Sequence, residues 1–150
     1  MINHQFSLIC NRAVVDENSK SISIFDIIEQ ITVFAEPDQT IHLPLHFEIF
    51  SLWMRSEMDT PAKEISRVSL KDPNGISKKH IEVDVDLTKS VFFRSIIRIS
   101  GIELRCPGIY NFIIELKQKD EKWKEVSSIP FIVIYKPPKK SEKVSENKNE

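Results

Sequence analysis

The chain has 150 residues, in which 21 Lys and Arg stand against 22 Asp and Glu, with three glycines, eight prolines and two cysteines. That length suits one domain, which removes about 70% of its unfolded surface from water and needs neither disulfide nor metal to hold it. Near-neutral charge gives no whole-molecule field toward nucleic acid or an anionic membrane, and no apolar run approaches the roughly 18 residues of a membrane span.

The first residues, MINHQFSLIC, carry polar groups where a secretory signal has a basic end, a longer apolar stretch and a small-residue cleavage site. With Cys10 and Cys106 set far apart, this predicts a cytoplasmic protein with reduced thiols. From Gln5 to Val15, QFSLICNRAVV is rich in β-formers, and the polar run DENSK turns it into SISIF, so the pair reads as a hairpin. IFDIIEQITVF is ambiguous, because Ile24, Ile27, Ile28 and Ile31 also fit a helical stripe. Its β-branched content and flanking strands favour an extended chain, with room for a single helical turn.

Residues 41 to 55, IHLPLHFEIFSLWMR, form a long central strand with Leu43, Leu45, Phe47, Ile49 and Trp53 on one face and Pro44 near its start, where a missing donor is tolerated. EISRVSLKDPNGISKKHIEVDVDL reads as two strands around DPNG, a turn in which Pro presets φ and Asn-Gly accepts positive φ. In the second of them Ile81, Val83, Val85 and Leu87 oppose Glu82, Asp84 and Asp86. SVFFRSIIRIS follows, with Val91, Phe93, Ile97 and Ile99 on one side and Phe92, Arg94, Ile96 and Arg98 on the other.

GIELRCPGIYNF reads as a corner: Ile102 and Leu104 close one element, Pro107 and Gly108 turn the chain, and Tyr110 and Phe112 enter the core face of the strand IYNFIIELKQ. After the turn KDEK comes a last strand, WKEVSSIPFIVIYK. About eight short strands without a crossover helix predict an all-β, antiparallel two-sheet β-sandwich over residues 1–136. The remaining PPKKSEKVSENKNE, residues 137–150, cannot bury enough surface to order itself and is expected to be a disordered polar tail.

FSLICNRAVVDENSKSISIF, VSLKDPNG and PGIYNFIIEL followed by SSIPFIVIY resemble a bacterial domain-of-unknown-function family of small β-sandwich proteins, over most of residues 5–135. The last pair is also similar to immunoglobulin-like and fibronectin-like modules, where a tyrosine near the corner hydrogen-bonds back to the preceding loop. The resemblance puts Tyr110 in that position. It does not extend to the inter-sheet disulfide: the second immunoglobulin cysteine follows the corner tyrosine, whereas Cys106 precedes Tyr110, and Trp53 lies too far beyond Cys10.

Among candidate chemical groups, Cys106 has no helix start or Cys/His signature to lower its pKa, so it is expected to be a turn-adjacent thiol rather than a nucleophile. His42 and His46 would share a helix face, but on a strand they stand roughly 13 Å apart, too far to share a metal ion. The row Glu82, Asp84 and Asp86 is expected to meet Arg67 and Lys71 in a cross-strand charge ladder rather than to bind calcium. Lys139, Lys140 and Lys143 in the tail are offset by Glu142, Glu146 and Glu150. Phe92, Arg94, Ile96 and Arg98 mix apolar groups with guanidiniums, as protein interfaces do; the competing reading is a second face covered by the chain's own loops or by the 24–31 segment.

No catalytic constellation, metal site or cofactor is expected. The function predicted is a non-catalytic protein-binding or assembly module that meets another protein, or a second copy, through a sheet edge, an exposed face or the loops at one end. The alternative is a small-ligand or lipid-binding sandwich whose sheets part, and a cysteine-dependent enzyme ranks last.

Overall fold

In the computed structural model, which describes residues 1–117 and 119–139, the polar run DENSK closes the first hairpin. Asp16 Oδ1 accepts the N–H of Asn18 at 2.9 Å and of Ser19 at 2.6 Å, and Lys20 reverses the chain at φ 60°. A short carboxylate that satisfies turn amides is what selects Asp here. The hairpin joins β1 (Ile2–Val15) to β2 (Ile22–Ile27).

The ambiguous segment forms no helix and runs as two strand pieces. β2 ends at Ile27, and β3 (Gln30–Phe34) belongs to the other sheet. Ile28 donates its N–H to the Ile9 carbonyl and Glu29 accepts from Ile132, each at 2.9 Å, so these two residues carry the chain across. This split makes nine strands, and β3 runs parallel to its neighbour, the exception in an otherwise antiparallel arrangement.

The remaining strands are β4 (Ile41–Arg55), β5 (Ala62–Lys71), β6 (Ile81–Leu87), β7 (Phe92–Leu104), β8 (Gly108–Lys117) and β9 (Trp123–Lys136). One sheet has the order β2-β1-β4-β7 and the other β3-β9-β8-β5-β6, packed face to face. The DPNG turn forms as its residues dictate: Asp72 Oδ1 accepts from the Asn74 and Ile76 amides at 2.9 Å, and Gly75 takes φ +82°.

Two local features set which side chains reach the core. At Pro44, β4 carries an irregularity between Leu43 and His46, and Gly101 faces it from β7 at φ +89°. That conformation shifts the alternation of β7, so Ser95 and Ile97 before it and Ile102 and Leu104 after it all point inward. Between the sheets Tyr110 stacks on Phe131 at 5.5 Å, Phe131 on Phe112 at 5.6 Å, and Phe112 meets Phe47 at 5.8 Å. Truncating a buried aromatic of this kind costs about 3–5 kcal/mol, so this stack dominates the packing.

From Phe47 to Ser51 β4 is buried on both faces. On the outside of the four-stranded sheet Cys10, Ala13 and Phe50 form a second cluster with Leu8, Ile22, Ile24, Leu52 and Ile96. The β1–β2 hairpin lies over this face, and its turn reaches β7, where Arg94 Nη2 donates to the Lys20 carbonyl at 3.2 Å. The expected tail lies outside the described residues from position 140 on.

Candidate functional site

The GIELRCPGIYNF corner is held by hydrogen bonds. The Tyr110 hydroxyl donates to the Cys106 carbonyl at 2.8 Å and accepts the N–H of Arg105 at 3.1 Å. Burial and the neighbouring Cys106 raise its pKa, while the two backbone amides oppose that rise. Gly108 sits at φ +136°, and Asn74 Nδ2 lies 3.8 Å from the half-buried Cys106 sulfur. Cys10 and Cys106 are both free. The Tyr110 hydroxyl thus fixes the backbone of Arg105 and Cys106.

His42 and His46 go to separate partners, Glu103 at 3.7 Å and Ser100 at 3.2 Å. Glu103 also takes hydrogen bonds from Lys78 and Arg105, and these hold its carboxyl down at about 2. Among the described residues no group of three or more His, Cys, Asp or Glu is placed to hold a metal ion.

The acidic row does face β5, but the expected partners are corrected. Lys63, not Lys71, pairs with Asp84 at 3.1 Å, and Asp86 is satisfied locally by the Thr88 hydroxyl at 2.6 Å. Arg67 stands between Glu82 on β6 and Glu115 on β8, and turns to Glu115 at 2.5 Å with its guanidinium 4.2 Å from the centre of the Trp123 ring. Glu115 is the more sheltered carboxylate, and an ion pair screened from water is stronger than one with the exposed Glu82.

Of the row on β7, Ile96 belongs to the second cluster beneath the hairpin and Arg94 holds the hairpin's turn. Arg98 is exposed, 3.9 Å from Glu48, and Phe92 is 44% exposed opposite Met54. Two members of the row are thus engaged within the chain, and two lie open at either end.

A groove of about 730 Å³ opens along one side of the sandwich. Its floor is Ile2, Leu116 and Val126, and its rim includes His4, Glu64, Lys119 and Lys124. β2 pairs with β1 from Cys10 onward, so the earlier half of β1 borders this seam. Burial pushes the Glu64 carboxyl up, partly offset by a hydrogen bond from the Ile2 N–H, and burial lowers the His4 imidazole.

The edge strand β3 differs from the other three. Its residues, Gln30-Ile31-Thr32-Val33-Phe34, carry no charge. β6 carries Glu82, Asp84 and Asp86, β7 carries Arg94 and Arg98, and β2 has Asp26 in a left-handed conformation at φ 53°. Charges and irregular residues keep sheet edges from pairing, and β3 lacks both. Beside it on the outer face Phe34 is 61% exposed, Ile132 46% and Ile109 56%, with Ile132 directly across from Ile109.

The backbone on that edge is also open. Glu29 accepts from Ile132 and Ala35 donates to Lys136, so the odd-numbered residues of the segment face β9. Alternation then turns the N–H and C=O of Gln30, Thr32 and Phe34 away from the sheet. Sequence reasoning missed this site. Its signal was the neutrality of QITVF beside strands that all carry charge, but the sequence did not reveal that this segment is an edge.

No protein-family model and no curated protein matches the chain. Among solved structures it is similar to the soluble domain of PmoD from Methylocystis sp. ATCC 49242 (Rockwell), 12% identical with a TM-score of 0.33, covering 89% of this chain and 96% of that one. It is also similar to the N-terminal domain of PorA, 11% identical with a TM-score of 0.31, covering 87% and 98%. Likenesses at these TM-scores carry no argument about the chain. Among the described residues no helix is long and apolar enough to cross a membrane.

Proposed function

We propose that the chain is a non-catalytic protein-binding module that takes an extended, uncharged segment as an added strand beside β3. The observation that supports this is the pairing of an open, neutral backbone edge with exposed apolar side chains at both ends of its outer face, Phe34 at one and Ile132 with Ile109 at the other. In strand addition main-chain hydrogen bonds give affinity and alternate side chains give specificity. At about 0.5–1.5 kcal/mol each, the N–H and C=O groups of three residues give about 3–9 kcal/mol against about 4–15 kcal/mol for association, so the apolar side chains supply the surplus that makes binding tight. In this reading the protein is cytoplasmic and belongs with the bacterial β-sandwich modules that its motifs resemble.

Thr32→Lys places a charge on the exposed face of β3, and Ile132→Lys replaces one of these apolar side chains by a charge. Both variants are expected to fold and to lose a partner captured from lysate by the unaltered chain. Retention of every partner by both variants overturns the reading. The two open members of the β7 row, Phe92 and Arg98, offer a second surface, and Arg98→Glu tests it in the same assay.

The groove beside Glu64 supports a small-ligand reading as the alternative. It lies at the side of the sandwich, because the aromatic stack fills the space between the sheets. Ligand-dependent thermal shifts abolished by Leu116→Trp distinguish that reading from strand addition.

A further inference from the structure

We propose that the strand β3 accepts is the β3 strand of a second copy, antiparallel, with the two-fold axis on Thr32. This rests on the reading of β3 as the binding edge and names its occupant. A two-fold interface uses one patch twice, so the patch must complement itself.

β3 meets that condition in both backbone and side chains. With the axis on Thr32, Thr32 faces Thr32 of the other copy, Gln30 faces Phe34, and Ile31 faces Val33. Gln30, Thr32 and Phe34 are the residues whose N–H and C=O point outward, so this register pairs all of them, whereas an axis on Ile31 or Val33 leaves one of them out. No like charges come to face each other, and the Ile-Val and Thr-Thr pairs are favourable ones for cross-strand neighbours.

The other edges fail the same test. An axis on Asp84 sets Asp84 against itself and Glu82 against Asp86. An axis on Ile96 sets Arg94 against Arg98, and on β2 the left-handed Asp26 interrupts the ladder. Like charges directly opposite destabilise a strand pair. Of the strands at the ends of the two sheets, β3 is the one with neither a charge nor a left-handed residue to oppose its own copy, and Phe34 and Ile132 of both copies flank the new seam.

Light scattering on the purified chain, diluted from about 1 mM to about 1 µM to span the affinities of modest interfaces, reads the mass directly. The expected result is twice the 17.4 kDa chain mass at the top of the series, falling toward one chain on dilution. Thr32→Lys, which sets two ammonium groups face to face, is expected to give a single-chain mass throughout, and Ser23→Lys on β2 to leave the dimer intact. Hydrogen exchange of the Gln30, Thr32 and Phe34 amides in the unaltered chain is expected to slow with rising concentration, a readout that needs no variant.

A single-chain mass across the whole series, or a dimer that survives Thr32→Lys, overturns the second-copy inference. Loss of a lysate partner in Thr32→Lys upholds the β3 reading separately, so a monomeric chain that still loses that partner sinks the inference alone.

Discussion

Tyr110 donates its hydroxyl hydrogen to the Cys106 carbonyl at 2.8 Å, and so ties the core face of β8 to the loop that ends β7. The ring itself is fully buried against Phe131. Tyr110→Phe keeps the ring and its stacking but leaves the Cys106 carbonyl and the Arg105 N–H without this partner. Stranded polar groups of that kind cost about 1–3 kcal/mol. Urea denaturation is expected to show that loss with an unchanged slope; a loss below about 0.5 kcal/mol means that water replaces the hydroxyl.

Gly108 is the second residue on which the corner depends. At φ +136° its backbone lies where L side chains are strained, and a Cβ there would stand 2.9 Å from Pro73 Cγ. Gly to Ala ordinarily stabilises by about 0.4–1 kcal/mol through the unfolded chain, but the sign reverses where φ is positive. Gly108→Ala is therefore expected to destabilise. Gly75→Ala, at φ +82° with its nearest neighbour a flexible lysine carbon 3.7 Å away, is expected to cost less. A larger loss at Gly75 contradicts this account.

Much of the fold could be read in the chain because the local signals agreed with each other. The period-two runs became strands, DENSK and DPNG became turns, and the corner placed Tyr110 as its motif implied. Two misses had a common cause, since they depended on which strands lie side by side. Arg67 chose Glu115 over Glu82 because β8 flanks β5 on the side away from β6. β3 became an edge because the chain changes sheets at Ile28 and Glu29, and alternation does not record sheet membership.

Acid should weaken the fold through Glu103. Its carboxyl is depressed to about 2 from an ordinary 4.5 by hydrogen bonds from Lys78 and Arg105. A depressed carboxyl contributes stability that is complete above the unfolded value and lost as pH falls toward the folded one. The melting temperature is thus expected to drop between pH 4.5 and pH 2, and Glu103→Gln to flatten that drop. Glu64 acts in the opposite direction, because burial raises its carboxyl and protonation then favours the folded chain. Glu64→Gln is expected to raise the melting temperature at neutral pH; a fall there means that the Ile2 N–H needs a charged acceptor.

The β1–β2 hairpin gives Cys10 a reporter role. Cys10 is fully buried in the cluster that the hairpin covers, while Cys106 is half-buried at the corner. Ile24 packs against that cluster from the hairpin without being fully buried. Ile24→Ala is expected to cost about 1–2 kcal/mol, below the 2–5 kcal/mol of a fully buried isoleucine. If the hairpin opens as a unit, that cost appears as easier local opening rather than global unfolding. In a Cys106→Ser background the reaction of Cys10 with a thiol reagent should then speed up about 5–30-fold, the factor that 1–2 kcal/mol implies. Arg94→Ala, which releases the Lys20 carbonyl, should move the same rate in the same direction by less. An unchanged Cys10 rate in both variants means that the hairpin and the sheet beneath it open only together.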